Sequence, residues 1–133
     1  GLVVEEIKSS EQVDFKEWLH IRAWAGDEKV SVGGSFFGLA QHPRIVSHNS
    51  QPVEIVPEGI LFMMTNKDRP GIVGHLGSVL GKHGVNIANM SLGRDREGGE
   101  ALTALNIDSV PSAECLAELE ADPDISHIRI VQF

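Results

Sequence analysis

Ile60-Leu61-Phe62-Met63-Met64-Thr65-Asn66-Lys67-Asp68-Arg69-Pro70-Gly71 passes from an apolar run into a polar turn that opens a helix. The apolar part has the length and character of a strand buried on both faces. Pro70 has the fixed φ and missing N–H that suit the first helical position, and the carboxylate of Asp68 sits just ahead of it. A helical pattern follows from Gly71 to His83. Val73, Leu76 and Leu80 fall at i, i+3, i+7, with Ile72 and Val79 beside them. Gly84 stands where a left-handed residue ends a helix, and Val85-Asn86-Ile87 starts the next strand. Free backbone N–H groups, a carboxylate and the amides of Asn66 and Asn86 are thus gathered in one small region. A free amino acid presents the complement: a carboxylate for the helix N-terminus and an ammonium for Asp68. The same residues also fit an ordinary capped strand-to-helix turn.

Downstream, Ile87 to Leu92 reads as a strand. Arg94-Asp95-Arg96-Glu97-Gly98-Gly99 has the polar, glycine-bearing character of a hairpin tip. Ala101 to Ile107 is a strand, apolar on both faces except for Thr103 and Asn106. A second helix begins at Pro111 or Ser112, turns Leu116 and Leu119 to the core, and stops at Asp122-Pro123-Asp124. Ile125 to Phe133 is the last strand, with Ile128, Ile130 and Gln132 on one face. The order β-α-β-β-α-β is the ferredoxin-like split βαβ. In the first helix, Gly74, Gly77 and Gly81 form a narrow stripe about 100° from the Val73/Leu76/Leu80 stripe, at 100° per residue. Each costs roughly 1 kcal/mol against Ala. The stripe implies a close approach by a neighbouring subunit or by the other half of the chain, or else a lightly packed face.

Upstream, residues 1–58 read as β-rich. Leu2-Val3-Val4 opens this part, and a charged stretch from Glu5 to Asp14 follows. Phe15 to Ala25 mixes Trp18, Leu19, Ile21 and Trp24. Val30-Ser31-Val32 alternates and runs through Gly33-Gly34 to Phe37; a Gly pair in a strand marks a bulge or a close backbone approach. His42 to Val46 and Pro52 to Val56 are the arms of a hairpin around the turn His48-Asn49-Ser50-Gln51. Pro57-Glu58-Gly59 reads as a linker, dividing a β-rich region, 1–58, from a βαββαβ domain, 59–133. The fold class is α+β. The chain opens in mid-strand, as the C-terminal piece of something longer does.

Composition narrows the function. The chain has 133 residues, 41% of them hydrophobic, and a net charge of −8. Its 11 Lys and Arg make no stripe, which argues against a nucleic-acid partner. No apolar run approaches the ~20 residues of a membrane span. One cysteine, Cys115, excludes an internal disulfide and fits a reducing, cytoplasmic setting; its neighbours read as helix packing. His20, His42 and His48 have no metal spacing, so no metal is expected. His75 and Lys82 fall on the outward face of the first helix, and His83 on the core-side edge of its last turn. None of these, nor His127, comes with a nucleophile at catalytic spacing. Gly71-x-x-Gly74-x-x-Gly77 is not a dinucleotide fingerprint. No catalytic site and no cofactor are expected within this chain. Arg44, near His42 and His48, is a candidate anion contact; a solvated strand end is the alternative.

Asp68-Arg69-Pro70-Gly71-Ile72-Val73-Gly74 with Gly84-Val85-Asn86-Ile87 resembles the signature of an ACT domain, an amino-acid-sensing regulatory module. Asn89-Met90-Ser91-Leu92-Gly93-Arg94 and Gly98-Gly99-Glu100-Ala101-Leu102 extend the resemblance to the C-terminal end of the long-form D-3-phosphoglycerate dehydrogenase family. It covers residues 60 to 133 almost throughout. Gly34-Ser35-Phe36-Phe37-Gly38 and Pro43-Arg44-Ile45-Val46 are similar to the distal part of that family's intervening domain, which resembles an allosteric substrate-binding domain. The resemblance implies a parent enzyme that oxidises 3-phosphoglycerate with NAD, in the first committed step of serine synthesis. It implies a homo-oligomer in which L-serine binds between ACT domains for feedback inhibition. Asn66, Asp68 and Asn86 correspond to effector-binding positions; members often carry His or Tyr at the position of Asn66. We expect Asp68 to take the ammonium, the N–H groups of Ile72 and Val73 the carboxylate, and Asn66 and Asn86 to hold the ligand from both chains. The alternatives are an oligomerisation module with a decayed effector site, the regulatory part of an L-serine dehydratase, and a free-standing amino-acid sensor.

Overall fold

The computed structural model describes residues 18–38 and 42–133. The opening segment Leu2-Val3-Val4 and the charged stretch after it lie outside the described residues. Two four-stranded antiparallel sheets follow one another. The first contains β1 (Leu19–Ala25), β2 (Glu28–Phe37), β3 (His42–His48) and β4 (Gln51–Ile55), in that order across the sheet. The β3–β4 hairpin turns on Asn49 and Ser50, with φ of 48° and 69°. Two successive positive φ values give the tight turn whose twist matches that of its strands. The Gly33-Gly34 pair carries both features that a strand glycine pair implies. The β2–β3 register shifts there, and a Cβ on Gly33 would overlap Ser47 Oγ and the ring of Trp18.

The second sheet holds β5 (Ile60–Lys67), β6 (Ile87–Arg94), β7 (Glu100–Ile107) and β8 (Ile125–Gln132), in the order β6-β7-β5-β8. The helices α1 (Ile72–Lys82) and α2 (Ala113–Glu120) complete the βαββαβ order. β5 and β7 are the central strands. On the helix-covered face Phe62, Met64, Leu105 and Ile107 pack with Ile72, Leu76, Val79, Leu80, Cys115 and Leu119. On the other face Leu61, Leu102 and Ala104 meet Val53 and Ile55 of β4. The first sheet therefore leans one strand against the back of the second. Asn106 pins the connection, donating from Nδ2 to Val56 O at 3.0 Å and Glu58 O at 2.9 Å.

Three expectations change in detail. Pro70 is not the first helical residue. Arg69-Pro70-Gly71-Ile72 forms a turn closed by Ile72 N–H to Arg69 O at 3.4 Å, with Gly71 at φ 91°, ψ −19°. Those are the angles of the third residue of a type II turn, where Pro precedes and Gly is required. The helix then starts at Ile72, one residue later than the pattern implied. Ile72, Leu76, Val79 and Leu80, at i, i+4, i+7 and i+8, face the core, while Val73 is 46% exposed. His75 is not simply outward: its Nε2 is buried without a hydrogen bond, 3.7 Å from Asp122 Oδ2.

α2 is capped by Ser112, whose Oγ accepts from Cys115 N–H at 3.2 Å. Cys115 is fully buried, and burial raises its thiol pKa above the ordinary value, consistent with packing rather than reactivity. Lys82 and His83, at the end of α1, both reach Glu118 of α2 at 2.8 Å. His83 thereby ties the two helices together, and Gly84 at φ 70° turns the chain out of α1.

Candidate functional site

Side chains alternate along β5, so Phe62, Met64 and Asn66 share the helix-covered face. Asn66 is consequently 2% exposed. Its Oδ1 accepts from Thr103 Oγ1 at 2.8 Å, and its Nδ2 donates to Lys67 O at 3.0 Å. Both ends of the amide are occupied within the chain.

Asp68 follows the end of β5. Its backbone N–H donates to Gly99 O at 2.9 Å, which holds the turn against the β6–β7 hairpin. Its Oδ2 accepts from Arg94 Nη1 at 3.0 Å and from Gly98 N–H at 3.3 Å. The carboxylate is mostly covered, and the guanidinium of Arg94 is half exposed. Contact with Asp68 raises the pKa of Arg94. Arg94 read as a hairpin residue in the sequence. Only the register, which sets Arg94 beside Ala101 and Ala101 beside Asn66, brings it to this corner. Arg69 is held on the opposite side of the turn by Asp122, at 3.2 Å, and by Asp124. The turn is thus clamped from both flanks. A polar cleft of about 550 Å³ opens at the same end of the sheet, lined by Lys67, Asp95, Arg96, Glu100 and Asp124 among others.

At the start of α1 the Ile72 side chain is buried, while Val73 faces outward. Among the described residues the Val73 N–H has no backbone acceptor, as expected of a first-turn donor. Asn86 lies elsewhere. It precedes β6 at the opposite end of α1, where Ile87 and Ile60 both align with Ile107. Its Nδ2 donates to Asp108 Oδ2 at 2.7 Å. The six residue steps from Ile60 to Asn66 put the two ends of the sheet about 20 Å apart at ~3.3 Å per step. One chain therefore brings Asp68 and the first turn of α1 together, with Asn66 beneath them, but not Asn86.

Arg44 sits on β3 in the first sheet, far from these residues in the fold order. Its Nη1 donates to Pro43 O at 2.9 Å and its Nε is 3.7 Å from Glu54. It borders an apolar cleft of about 400 Å³ with Trp18, Leu19, Ile21 and Phe36. Neighbouring Glu54 offsets its charge, and no second cation is added by the cleft lining. Among the described residues no group of three or more His, Cys, Asp or Glu is placed to hold a metal ion. No helix among them is long and apolar enough to cross a membrane.

The split βαβ sheet, with a turn-borne carboxylate at the head of α1, defines the class. Residues 60–124 match the ACT domain family, and the chain contains an ACT domain. Over nearly its whole length the chain is homologous to the C-terminal region of D-3-phosphoglycerate dehydrogenases. The enzyme of that name from Methanocaldococcus jannaschii is 31% identical over 129 residues, which cover 97% of this chain and 24% of that protein. The Bacillus subtilis enzyme is 34% identical over 134 residues, covering 98% and 25% respectively. The Archaeoglobus fulgidus enzyme is 30% identical over 121 residues, covering 90% and 23%. The chain spans about a quarter of the length of these relatives.

Proposed function

We propose that this ACT domain supplies half of an effector site for L-serine, completed by a second copy, and regulates an NAD-dependent D-3-phosphoglycerate dehydrogenase by feedback. The observation that carries the reading is the placement of the candidate residues at the two ends of one helix. Asp68, Ile72 and Val73 lie at the start of α1 and Asn86 lies just past its end. Val73, Gly74, Gly77 and Gly81 face away from the core, and among the described residues a Cβ at any of the three glycines would meet nothing within 4 Å. The packing of the described residues gives no reason for three helix-weakening residues. A two-fold axis perpendicular to α1 across that face sets the helix antiparallel to its copy, one of the arrangements an isologous contact allows. The start of one helix then meets Asn86 of the other. Asp68 takes the ammonium, the N–H groups at Ile72 and Val73 take the carboxylate, and the partner's Asn86 closes the site.

A ligand held between two chains biases the assembly only by its differential affinity for two arrangements. Feedback then acts on catalysis elsewhere in the parent enzyme, where NAD binds. The dehydrogenase names carried by the relatives favour this parent over a dehydratase. One observation favours a second reading, an oligomerisation module with no effector. Both ends of the Asn66 amide are hydrogen-bonded inside the chain, which leaves less of it to contact a ligand.

Calorimetric titration with L-serine, glycine and L-alanine separates the two, run on the wild type and on Asn86→Ala. Saturable serine binding that Asn86→Ala abolishes supports the sensor. Its thermal shift would correspond to about 2.7 kcal/mol at a hundredfold excess over Kd. A stable oligomer that takes up no serine, with no shift, leaves the oligomerisation module.

A further inference from the structure

We infer that Arg94 is a specificity-determining residue of this effector site, pairing with Asp68 to select ligands that carry an ammonium and a carboxylate side by side. The inference rests on the effector reading above and assigns the site a residue that reading lacks.

The geometry of the ion pair is the starting point. Arg94 and Asp68 meet through a single nitrogen and a single oxygen, Nη1 and Oδ2, at 3.0 Å. Arginine and carboxylate commonly meet fork to fork, through two parallel bonds. Here Gly98 N–H takes the second place on Oδ2, at 3.3 Å. Among the described residues Oδ1 of Asp68 accepts no hydrogen bond, and Nε and Nη2 of Arg94 donate none. The guanidinium is 53% exposed and the carboxylate 19%. The corner therefore presents a carboxylate oxygen beside a fork of donors with no hydrogen-bond partner among the described residues, the Asp68 and Arg94 charges offsetting each other and Glu97 also near the guanidinium.

An α-amino acid is the complementary small molecule. Its ammonium and carboxylate are separated by one carbon, so one can reach Asp68 Oδ1 while the other reaches the free edge of Arg94. Adding such a zwitterion to the pair leaves no charge uncompensated. A ligand with only one of the two groups leaves one half of the pair solvated or, once covered by a second chain, unpaired at substantial cost. Arg94 also relieves a shortage at the helix start. The Ile72 N–H already closes the turn onto Arg69 O, at 3.4 Å. With Arg94 sharing the carboxylate, the site no longer depends on that N–H.

The test is a calorimetric titration of the intact protein with L-serine, L-serinamide and 3-hydroxypropanoate. The two analogues lack the carboxylate charge and the ammonium respectively. Wild type, Arg94→Gln and Arg94→Lys are compared, with circular dichroism and thermal melting to establish folding. A charge-assisted hydrogen bond corresponds to roughly a tenfold to hundredfold change in Kd. We expect serine binding to weaken by about that factor in Arg94→Gln, with any weak binding of serinamide unchanged, so that selectivity for the carboxylate collapses. Arg94→Lys, which keeps the charge near Asp68 but not the planar fork, should fall between, and it carries the test should the Gln variant not fold. Serine binding unchanged or tighter in the variants overturns the inference and leaves the effector reading standing; tighter binding would make Arg94 a plug on the ammonium position. No serine binding by the folded wild type overturns both.

Discussion

In β1 of the first sheet Leu19, Ile21 and Trp24 are 64%, 58% and 66% exposed; in β5 of the second, Leu61, Phe62 and Met64 are at most 2% exposed. Both strands are apolar, so composition does not account for the contrast. Coverage does. β5 runs between β7 and β8, with α1 and α2 on one face and β4 on the other. β1 is an edge strand whose described neighbours are all in its own sheet. An apolar strand becomes core only when a second layer reaches it, and among the described residues the helices that supply one all lie in the second half.

The largest expected effect follows from this. Phe62→Ala removes a fully buried ring at the centre of the helix-covered core and should cost about 3–5 kcal/mol. Ile21→Ala, an equally apolar strand residue in the first sheet, should stay within about 0.5 kcal/mol. Denaturant unfolding of the two variants measures both. Comparable losses would mean that β1 is covered in solution by something not described here, and the contrast between the sheets would fail.

The same contrast explains what was legible in the sequence. The βαββαβ order could be read because its apolar runs are bounded by strong punctuation: Asp68-Arg69-Pro70-Gly71, Gly84, Gly98-Gly99 and Asp122-Pro123-Asp124. The phase of α1 could not. Gly71 was expected inside the helix, but its positive φ belongs to a type II turn, and the face that meets the core is centred on Ile72, Leu76, Val79 and Leu80, which leaves Val73 at its exposed edge. The site was half legible. Residue types at the head of α1 were readable, whereas side-chain direction depends on the tertiary frame. Asn66 turned inward because β5 is covered by helices on that face. Arg94 reaches Asp68 from 26 residues away, through a pairing register that local patterns do not specify. The pairing of His83 and Lys82 with Glu118 was missed for the same reason.

A middle-sized effect probes the joint between the sheets. Gly93 of β6 is buried, and a Cβ there would overlap the carbonyl of Pro52 in β4. The neighbouring Glu54 N–H donates to Ser91 Oγ at 3.2 Å. Backbone cannot yield as a flexible side chain can, so Gly93→Ala should push β4 away and cost about 1–3 kcal/mol. The sharper readout is cooperativity. If the joint couples the sheets, the variant should unfold over a broader transition, with hydrogen exchange accelerating in β4 before β5. Uniform acceleration across both would show that the sheets unfold as one unit even with the joint disturbed.

The smallest expected effect lies within the well-covered half, at the pair of helices that covers β5. Glu118 accepts from Lys82 and His83, and those hydrogen bonds, Lys82 first, hold its carboxyl below the ordinary value of 4.5. A carboxylate with a lowered folded-state pKa stabilises the fold above its unfolded value and loses that contribution as pH falls through the folded value. The stability difference between wild type and Glu118→Gln should therefore shrink below about pH 4.5. The pair is solvent-exposed enough that the difference should stay within the small range of surface ion pairs and decline with added salt. Melting curves of both proteins from pH 7 to pH 3 check this. A difference that persists unchanged at pH 3 would mean that Glu118 acts through packing of its stem between α1 and α2, and that the helix layer holds without the charges that join it.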